Sequence, residues 1–539
     1  MRCQKHNGLI SGHGRGRMTK HSCIPVIDLF AGPGGLGEGF SRSVGPDGSP
    51  AFKIRLSIEK DEHAHRTLQL RSFFRQFPHG KAPDDYYECL QGELTVNELF
   101  AKHPQAASAA QKEAWLAELG SEHTPASEVK ARITTALDGK KEWVLIGGPP
   151  CQAYSLAGRS RNRGIKNYTL EGDPKHNLYT EYLRIIADHW PTVFVMENVP
   201  GLLSARVSNQ GMFERILGDL EAPRSALQFG AGERSHRYSL YSLVRGRTTV
   251  QLRPSDFVVK AELYGVPQAR RRVIIVGVRD DVGDMAPPLL QPHGKLVTVA
   301  QVLDGLPRVR AGLSREPDGD DLWRDALKTR TGVRWLDSSA RAGGIAVQAL
   351  IASTLDGLAV PKCGRGTEFL NHEAAAAHAP DWFLDNRLGG VCNHVTRVHI
   401  IKDLYRYLYA ACFAKVNKRS PKLCDFPRDL LPAHANVEKA MGHGYFAERF
   451  RVQLCGEPAT TITSHLSRDG HHFIHPDPTQ CRSLTVREAA RLQTFPDNYF
   501  FVGTRTQQYI QVGNAVPPFL ARQIAEAVLD VLVRTGMVG

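Results

Sequence analysis

The feature of the sequence that most restricts its fold is an alternation of short β-branched runs with longer amphipathic stretches. Amphipathic periodicity is clearest at residues 61–74 and 178–190. Strands that alternate with helices build parallel sheets, because each return to the sheet needs a crossover connection. We therefore predict an α/β fold with a doubly wound, mostly parallel sheet. The predicted strands are residues 26–30, 52–58, 143–146, 192–196 and 272–278.

Length and pattern together predict more than one domain. The chain has 539 residues, more than one hydrophobic core usually supports. The alternation stops near residue 280, and about 200 residues with irregular Pro, Gly, Arg and His follow without a clear period. The predicted units are a basic, disordered tail at 1–24, an α/β domain at 25–280 with a helical insertion at 101–142, an irregular domain at 281–480, and a C-terminal segment at 481–539.

Charge and cysteine usage narrow the partners and the compartment. Lys and Arg number 68 against 55 Asp and Glu, and the net charge of +13 favours a polyanionic partner such as nucleic acid. The ten cysteines show no paired spacing, and no stretch approaches the roughly 18 apolar residues of a membrane span. We expect a cytoplasmic protein without a membrane partner.

The N-terminal tail has two interpretations. Its first 23 residues contain five basic residues and no acid, and they lack apolar periodicity. A flexible basic arm could contact nucleic-acid phosphates. Alternatively, translation begins at Met18 and the preceding residues are not part of the protein.

A glycine-rich turn and an acid follow the first two strands. Residues 28–37, DLFAGPGGLG, leave a strand and open a helix, where glycine lets the backbone approach a ligand. Glu59 ends the second strand, about where nucleotide-binding folds place a carboxylate on ribose hydroxyls. Together they predict an adenosine-containing ligand, and the alternative is two ordinary turns.

A cysteine and a second acid follow the next two strands. Cys151 ends the segment GGPPC, and Glu197 follows residues 192–196. Ligands bind at the edge where parallel strands end, so these two groups can converge there. An isolated cysteine is usually a buried hydrophobe, but the flanking prolines and glycines favour a held nucleophile.

Basic residues accompany this edge. Strand alternation predicts that Arg270 and Arg272 share one face, and the alternative is a solvated basic edge strand. Beyond Cys151, three arginines stand in a segment without apolar periodicity. That pattern predicts a mobile basic loop that contacts phosphate. The three are Arg159, Arg161 and Arg163.

Taken in this order, the segments resemble the bacterial cytosine-five DNA methyltransferase family, and the similarity continues through residues 482–497 and 511–516. The resemblance covers 25 to about 280 and 481–530, while the irregular domain matches only the position of the family's target-recognition region. It implies an S-adenosylmethionine-dependent methyltransferase fold to which the C-terminal segment returns. It also implies methylation of carbon 5 of cytosine in double-stranded DNA, with S-adenosylmethionine as donor and no metal.

The resemblance also implies a cofactor site. The acid expected to reach the adenine amine is Glu93, although the family usually has Asp there, after a shorter connection. The implied residues are Phe30 for the adenine ring, Gly32 and Gly34 for the methionine part, Glu59 for the ribose, Glu93 for the adenine amine, and Pro149 and Asn514 for the rest of the pocket.

The same resemblance assigns the chemistry and the DNA contacts. Cys151 would add to the flipped base, Glu197 would hold its ring nitrogen and amine, and Arg272, supported by Arg270, would engage its oxygen. The cysteine and histidines within 392–399 lack the spacing of a zinc site. The residues predicted to contact DNA are Ser155, Arg159, Arg161, Arg163, His394, Arg397 and Thr461.

Three other functions stay open at this point. The chain could be a catalytically silent DNA-binding regulator or an RNA cytosine-5 methyltransferase. A cysteine hydrolase is least favoured, because it needs a histidine near Cys151 and none stands beside these motifs. We expect a monomer on DNA, partnered with a restriction endonuclease, solitary, or part of another phage-defence system.

Overall fold

The computed structural model describes most of the chain. Within the described part, every helix is too short or too polar to cross a membrane. The described residues are 23–150, 176–204, 206–207, 210–228, 235–247, 253–329, 335–433, 437 and 448–536. The predictions for Cys151, Ser155, Arg159, Arg161 and Arg163 lie outside the described residues.

One mixed sheet gathers most of the longer strands. The strands are β1 (Ile24–Leu29), β2 (Phe52–Glu59), β3 (Ala114–Leu116), β4 (Val144–Gly147), β5 (Val193–Asn198), β6 (Arg206–Val207), β7 (Gln210–Gly211), β8 (Tyr238–Ser242), β9 (Gly246–Arg247), β10 (Val258–Lys260), β11 (Gln268–Ala269), β12 (Arg271–Arg279), β13 (Gly312–Leu313), β14 (Phe369–Leu370), β15 (Val391–Cys392), β16 (Val398–His399) and β17 (Ala459–Thr460). Within the described residues the sheet has nine strands, in the order β3-β2-β1-β4-β5-β12-β8-β9 with β10 beside β12. Strands β1 to β5 run parallel, and β12 is antiparallel to its neighbours. The predicted doubly wound, mostly parallel sheet is confirmed.

Helices cover both faces of this sheet. The helices are α1 (Gly35–Ser41), α2 (Glu62–Arg75), α3 (Asp84–Gln91), α4 (Val96–Lys102), α5 (Pro104–Glu113), α6 (Ala126–Leu137), α7 (His176–His189), α8 (Met212–Glu221), α9 (Pro223–Ala226), α10 (Val299–Leu303), α11 (Asp320–Lys328), α12 (Trp335–Gly343), α13 (Ile345–Asp356), α14 (Pro380–Phe383), α15 (Ile401–Asn417), α16 (Val486–Leu492), α17 (Arg505–Asn514) and α18 (Pro518–Arg534). Short 3-10 helices are Pro200–Ser204, Pro254–Phe257, Ala261–Tyr264, Asp280–Val282, Leu423–Asp425, Arg428–Leu430, Ser464–Ser467 and Gly470–His472. Alternate residues of β1 separate the two cores: Val26 packs with α1 and α18, and Ile27 packs with α6, α7 and α8.

The region predicted as a helical insertion contains a strand. Between α5 and α6, β3 pairs in parallel with β2 at the edge of the main sheet. Three residues are too few to show a period of two, so the pattern of this segment could not reveal the strand. The sheet therefore extends one strand further on this side than the sequence predicts.

After residue 280 the strands within the described residues are short pairs, and helices build the core. Helix α15 packs with α12 and α13, and its apolar stripe is buried, including Leu404 and Leu408. Helix α18 returns to the main sheet and packs on α1. The carbonyl of Val516 would lie 2.3 Å from a Cβ at Gly35, so only glycine allows this approach.

Candidate functional site

The turn after β1 and the acid at the end of β2 are joined by a hydrogen bond. The backbone is left-handed at Phe30 (φ 56°), Gly32 (φ 58°) and Gly34 (φ 93°), and a bulky residue such as Phe30 rarely adopts this conformation. Gly32 N donates to Glu59 Oε2 at 2.7 Å, and Asp61 N donates to Glu59 Oε1 at 2.7 Å. Burial raises the pKa of Glu59. These four predicted cofactor residues therefore share one edge of the sheet.

Asp28 is a residue of this edge to which the sequence analysis gave no role. It lies on β1 and is completely buried, and burial raises its pKa to about 8. One carboxyl oxygen lies 3.0 Å from the position of a Cβ at Gly37, close against the backbone of α1. Its carboxyl is therefore mainly neutral at pH 7. An acid inside an otherwise apolar strand was the available signal.

Glu197 and Arg272 form an ion pair where β5 and β12 meet. Arg272 Nε lies 2.6 Å from Glu197 Oε1, and the two side chains are 13% and 14% exposed. The other oxygen, Oε2, would lie 2.7 Å from a Cβ at Gly148, so the chain after β4 passes close to this acid. Asn198 Nδ2 donates to Pro149 O at 3.2 Å and holds the proline segment that leads to Cys151.

Arg270 lies two residues from Arg272 but has different surroundings. It is completely buried, and its guanidinium donates to the carbonyls of Ile462 at 2.7 Å, Gly513 at 3.1 Å and Ala515 at 2.8 Å. Burial, followed by the neighbouring Arg272, lowers its pKa. The donors of Arg270 therefore join three segments of the chain, and the prediction that Arg270 supports Arg272 at the base stays a prediction.

Asn514 and Glu93 were both predicted to complete the cofactor pocket. Asn514 is exposed at the end of α17, two residues before Val516, and so lies near the turn after β1. Glu93 follows α3, outside the sheet, whereas the strand beside β2 ends at Leu116. The predicted contact of Glu93 with the adenine amine therefore stays a prediction, and a second acid is a candidate for it. The acid that follows β3 is Glu118, whose Oε1 accepts from Lys60 Nζ at 2.8 Å.

The predicted DNA contacts after residue 280 have unequal surroundings. His394 is completely buried, with Nδ1 2.9 Å from Thr485 Oγ1 and Nε2 2.8 Å from Pro307 O. The structure corrects its predicted DNA contact, because burial excludes solvent and both ring nitrogens are used. Arg397 is partly buried over the Tyr509 ring at 4.2 Å and donates to a carbonyl. Thr461 is partly buried, and its Oγ1 donates to Ala269 O at 2.5 Å.

Comparisons with known proteins agree with this arrangement. The family model for C-5 cytosine-specific DNA methylase matches residues 123–222 and 402–530. The type II methyltransferase M.Bpa9945I of Bacillus paralicheniformis is 32% identical over 529 residues, which cover 94% of this chain and 99% of the relative. M.AgeI of Thalassovita gelatinovora, also named a type II methyltransferase, is 26% identical over 94% of this chain and 99% of its own. M.ApeKI of Aeropyrum pernix, named a DNA (cytosine-5-)-methyltransferase, is 26% identical over 74% and 83%.

Proposed function

Since the chain belongs to the C-5 cytosine-specific DNA methylase family, we propose that it transfers a methyl group from S-adenosylmethionine to carbon 5 of cytosine in double-stranded DNA. The observation that carries this proposal is the Glu197–Arg272 pair at 2.6 Å. It lies at the same strand ends as the turn held by Glu59. Ligand sites of doubly wound folds form at this edge.

The ends of β1, β2 and β3 fit a nucleoside-containing methyl donor. A Cβ at Gly32 would have nothing within 4 Å, so the turn leaves open space beside the Glu59 carboxylate. In our proposal Phe30 stacks on the adenine ring, Glu59 binds the ribose hydroxyls, and Glu118 accepts from the adenine amine in place of Glu93. Gly34, Pro149 and Asn514 line the rest of the pocket. S-adenosylmethionine supplies an electrophilic methyl group when it is bound.

The chain's own residues make carbon 5 nucleophilic. The Cys151 thiolate adds to carbon 6, and the electrons of the broken ring double bond are stabilised as Glu197, which takes up a proton when the base is bound, gives that proton to the ring nitrogen. Carbon 5 then takes the methyl group, and loss of its proton expels the Cys151 thiolate and restores the ring. Arg272 binds the oxygen of the cytosine and holds Glu197 in place, so Glu197 stays aligned with the cytosine ring nitrogen.

The target cytosine is stacked inside a duplex, so it must be flipped into the site at a cost of a few kcal/mol. Phosphate contacts from Arg159, Arg161 and Arg163 and groove contacts from the region after residue 280 offset this cost. The type II names of the relatives support a role in restriction and modification, with a companion endonuclease as partner. We further propose that one copy of the chain acts on DNA.

The decisive experiment incubates the purified chain with unmethylated DNA and tritium-labelled S-adenosylmethionine, and maps the product by bisulfite sequencing. The wild type should label carbon 5 of cytosine in one short motif, and Cys151→Ala should label nothing. Cys424→Ala, which removes an exposed thiol elsewhere, is the matched control and should label normally. Label in RNA instead of DNA would favour the RNA enzyme. DNA binding without label would favour the silent regulator.

A further inference from the structure

A cavity lined by threonine, histidine, arginine and phenylalanine side chains lies at the junction between the region after residue 280 and the main sheet. Its volume is about 270 Å³. The junction is fixed by pairing of β17 with β11 and by the hydrogen bond from Thr461 to Ala269 O. The lining residues are Arg451, Thr460, Thr461, Thr463, His465, His472 and Phe473.

Three side chains beside this cavity offer a set of metal ligands. The available ligand atoms of His465, Asp469 and His472 all lie within 4.8 Å of one another. His472 Nε2 is 4.0 Å from Asp469 Oδ2, and the two imidazole centroids are 5.9 Å apart. Tetrahedral zinc with bonds of about 2.1 Å needs ligand atoms about 3.4 Å apart. Since His465 is exposed and the other two are partly buried, small side-chain rotations close this gap.

The backbone that carries these ligands is anchored. Leu466 is completely buried and Phe473 nearly so, in the core that also contains α16. Asp469 N donates to His465 O at 3.0 Å, which fixes the turn between these two ligands. Asp469 Oδ1 accepts from His471 N at 2.9 Å, while Oδ2 faces His472. The site is therefore preorganised at the backbone, and only side chains must move.

The hydrogen bonds of the lining favour a cation over an anion. The hydroxyls of Thr460 and Thr461 already donate, at 3.1 Å to Gln453 Oε1 and at 2.5 Å to Ala269 O. Arg451 forms an ion pair with Glu448. An anion would also meet the Asp469 carboxylate, whereas two imidazoles and one carboxylate are a ligand set that suits divalent transition metals.

We propose that His465, Asp469 and His472 bind one divalent transition-metal ion, such as Zn²⁺, with an open coordination position facing the cavity. Three protein ligands leave a fourth position for water or another oxygen ligand. None of the three ligands belongs to the Glu197–Arg272 pair or to the proposed cofactor site. Binding of the ion needs neither DNA nor S-adenosylmethionine, so it can be tested whatever the outcome of the methylation assay.

The test measures Zn²⁺ bound to the full-length chain by calorimetry, with elemental analysis of the dialysed protein. The wild type should bind one equivalent more than the His465→Ala/His472→Ala double variant. Asp469→Asn alone should weaken that equivalent at least about tenfold, because loss of even an outer-shell partner costs a metal site about tenfold or more. Circular dichroism and the melting temperature without metal check that each variant is folded.

The matched control is His236→Ala. His236 belongs to the other described group of possible ligands, with Asp280 and Asp281, but Asp281 is paired with Arg279 at 2.6 Å. This variant should still bind the additional equivalent of Zn²⁺. Equal Zn²⁺ binding by wild type and double variant would overturn the proposal. So would loss of the equivalent in His236→Ala alone, or binding of inorganic phosphate at the cavity in place of the metal.

Discussion

The catalytic sheet and the region after residue 280 are held together by different interactions. In the sheet, alternate apolar residues such as Val26 and Ile27 enter opposite cores. In the later region, fully buried arginines bind carbonyls and acids: Arg487 donates to Cys392 O at 2.8 Å and to Tyr499 O at 2.6 Å, and Arg482 pairs with Glu488 at 2.6 Å. Such a polar interior tolerates substitutions poorly, because the loss of one hydrogen-bonding partner leaves a buried polar group unsatisfied. The sheet edge, by contrast, keeps its polar groups for chemistry.

The largest effect that should separate the two regions is loss of activity at the sheet edge without loss of stability. Glu197→Gln keeps the size of the side chain but removes its proton-transfer function, so methylation should fall about 10³-fold, within the range for general acids. The free energy of unfolding should change by about 1 kcal/mol or less, since Gln keeps the size of the side chain and its amide oxygen still accepts from Arg272. Labelled-methyl turnover and urea unfolding measure the two quantities. Glu128→Gln on α6 is the control, and normal turnover by Glu197→Gln would remove the acid from the mechanism.

Arg270 and Arg272 allow a direct comparison, because they are two residues apart in sequence and differ in their contacts. Arg270→Met should lower the free energy of unfolding by about 3–5 kcal/mol, since three buried carbonyls lose their donor. Arg272→Met should lower it by less, about 1–3 kcal/mol, because one partly buried carboxylate loses its partner, and should also reduce turnover. Urea unfolding of both variants is the measurement. Equal destabilisation would mean that the two arginines do not differ in their contribution to stability.

The difference between apolar strands and buried polar contacts also explains which features the sequence could predict. Five of the nine described strands of the sheet were predicted within two residues of their observed ends, because their burial follows a period of two or continuous apolar runs, and β3, β8, β9 and β10 were not predicted. The edge residues Glu59 and Glu197 were found because they directly follow such strands. The carbonyl contacts of Arg270 were not predicted, because strand alternation gives the face on which a side chain lies and not the carbonyls that it contacts. His394 was misread for a similar reason: its partners, Thr485 and Pro307, are distant in sequence.

The region after residue 280 should lose stability as the pH falls. Burial lowers the pKa of His394 and His475 to about 4 and of His399 to about 3. The unfolded chain, with histidine pKa values near 6.5, therefore binds more protons between pH 6.5 and 4, and stability is lost through that window. Each histidine should lower the free energy of unfolding by about 2 kcal/mol at pH 5 relative to pH 6.5.

His394→Gln isolates one of these contributions, because the amide keeps a hydrogen-bonding group but does not titrate. Urea unfolding at pH 6.5 and pH 5 should show that the variant loses about 2 kcal/mol less than the wild type over this interval. His79→Gln, at an exposed position, should lose as much as the wild type. An identical pH dependence in His394→Gln and wild type would show that burial does not lower the pKa of His394.

Asp28 gives the sheet the opposite pH dependence. Burial raises its pKa from 3.8 to about 8, so between these values the folded chain binds a proton that the unfolded chain has released. Its contribution to stability is complete below about pH 4 and is lost as the pH rises to 8, by about 1.4 kcal/mol per pH unit. Asp28→Asn cannot ionise, so from pH 6 to 7.5 the variant should gain about 2 kcal/mol over the wild type in urea unfolding. Parallel stability curves would mean that Asp28 ionises normally. If Asp28→Asn gains this stability but loses activity, the buried acid is kept for the site and weakens the sheet to do so.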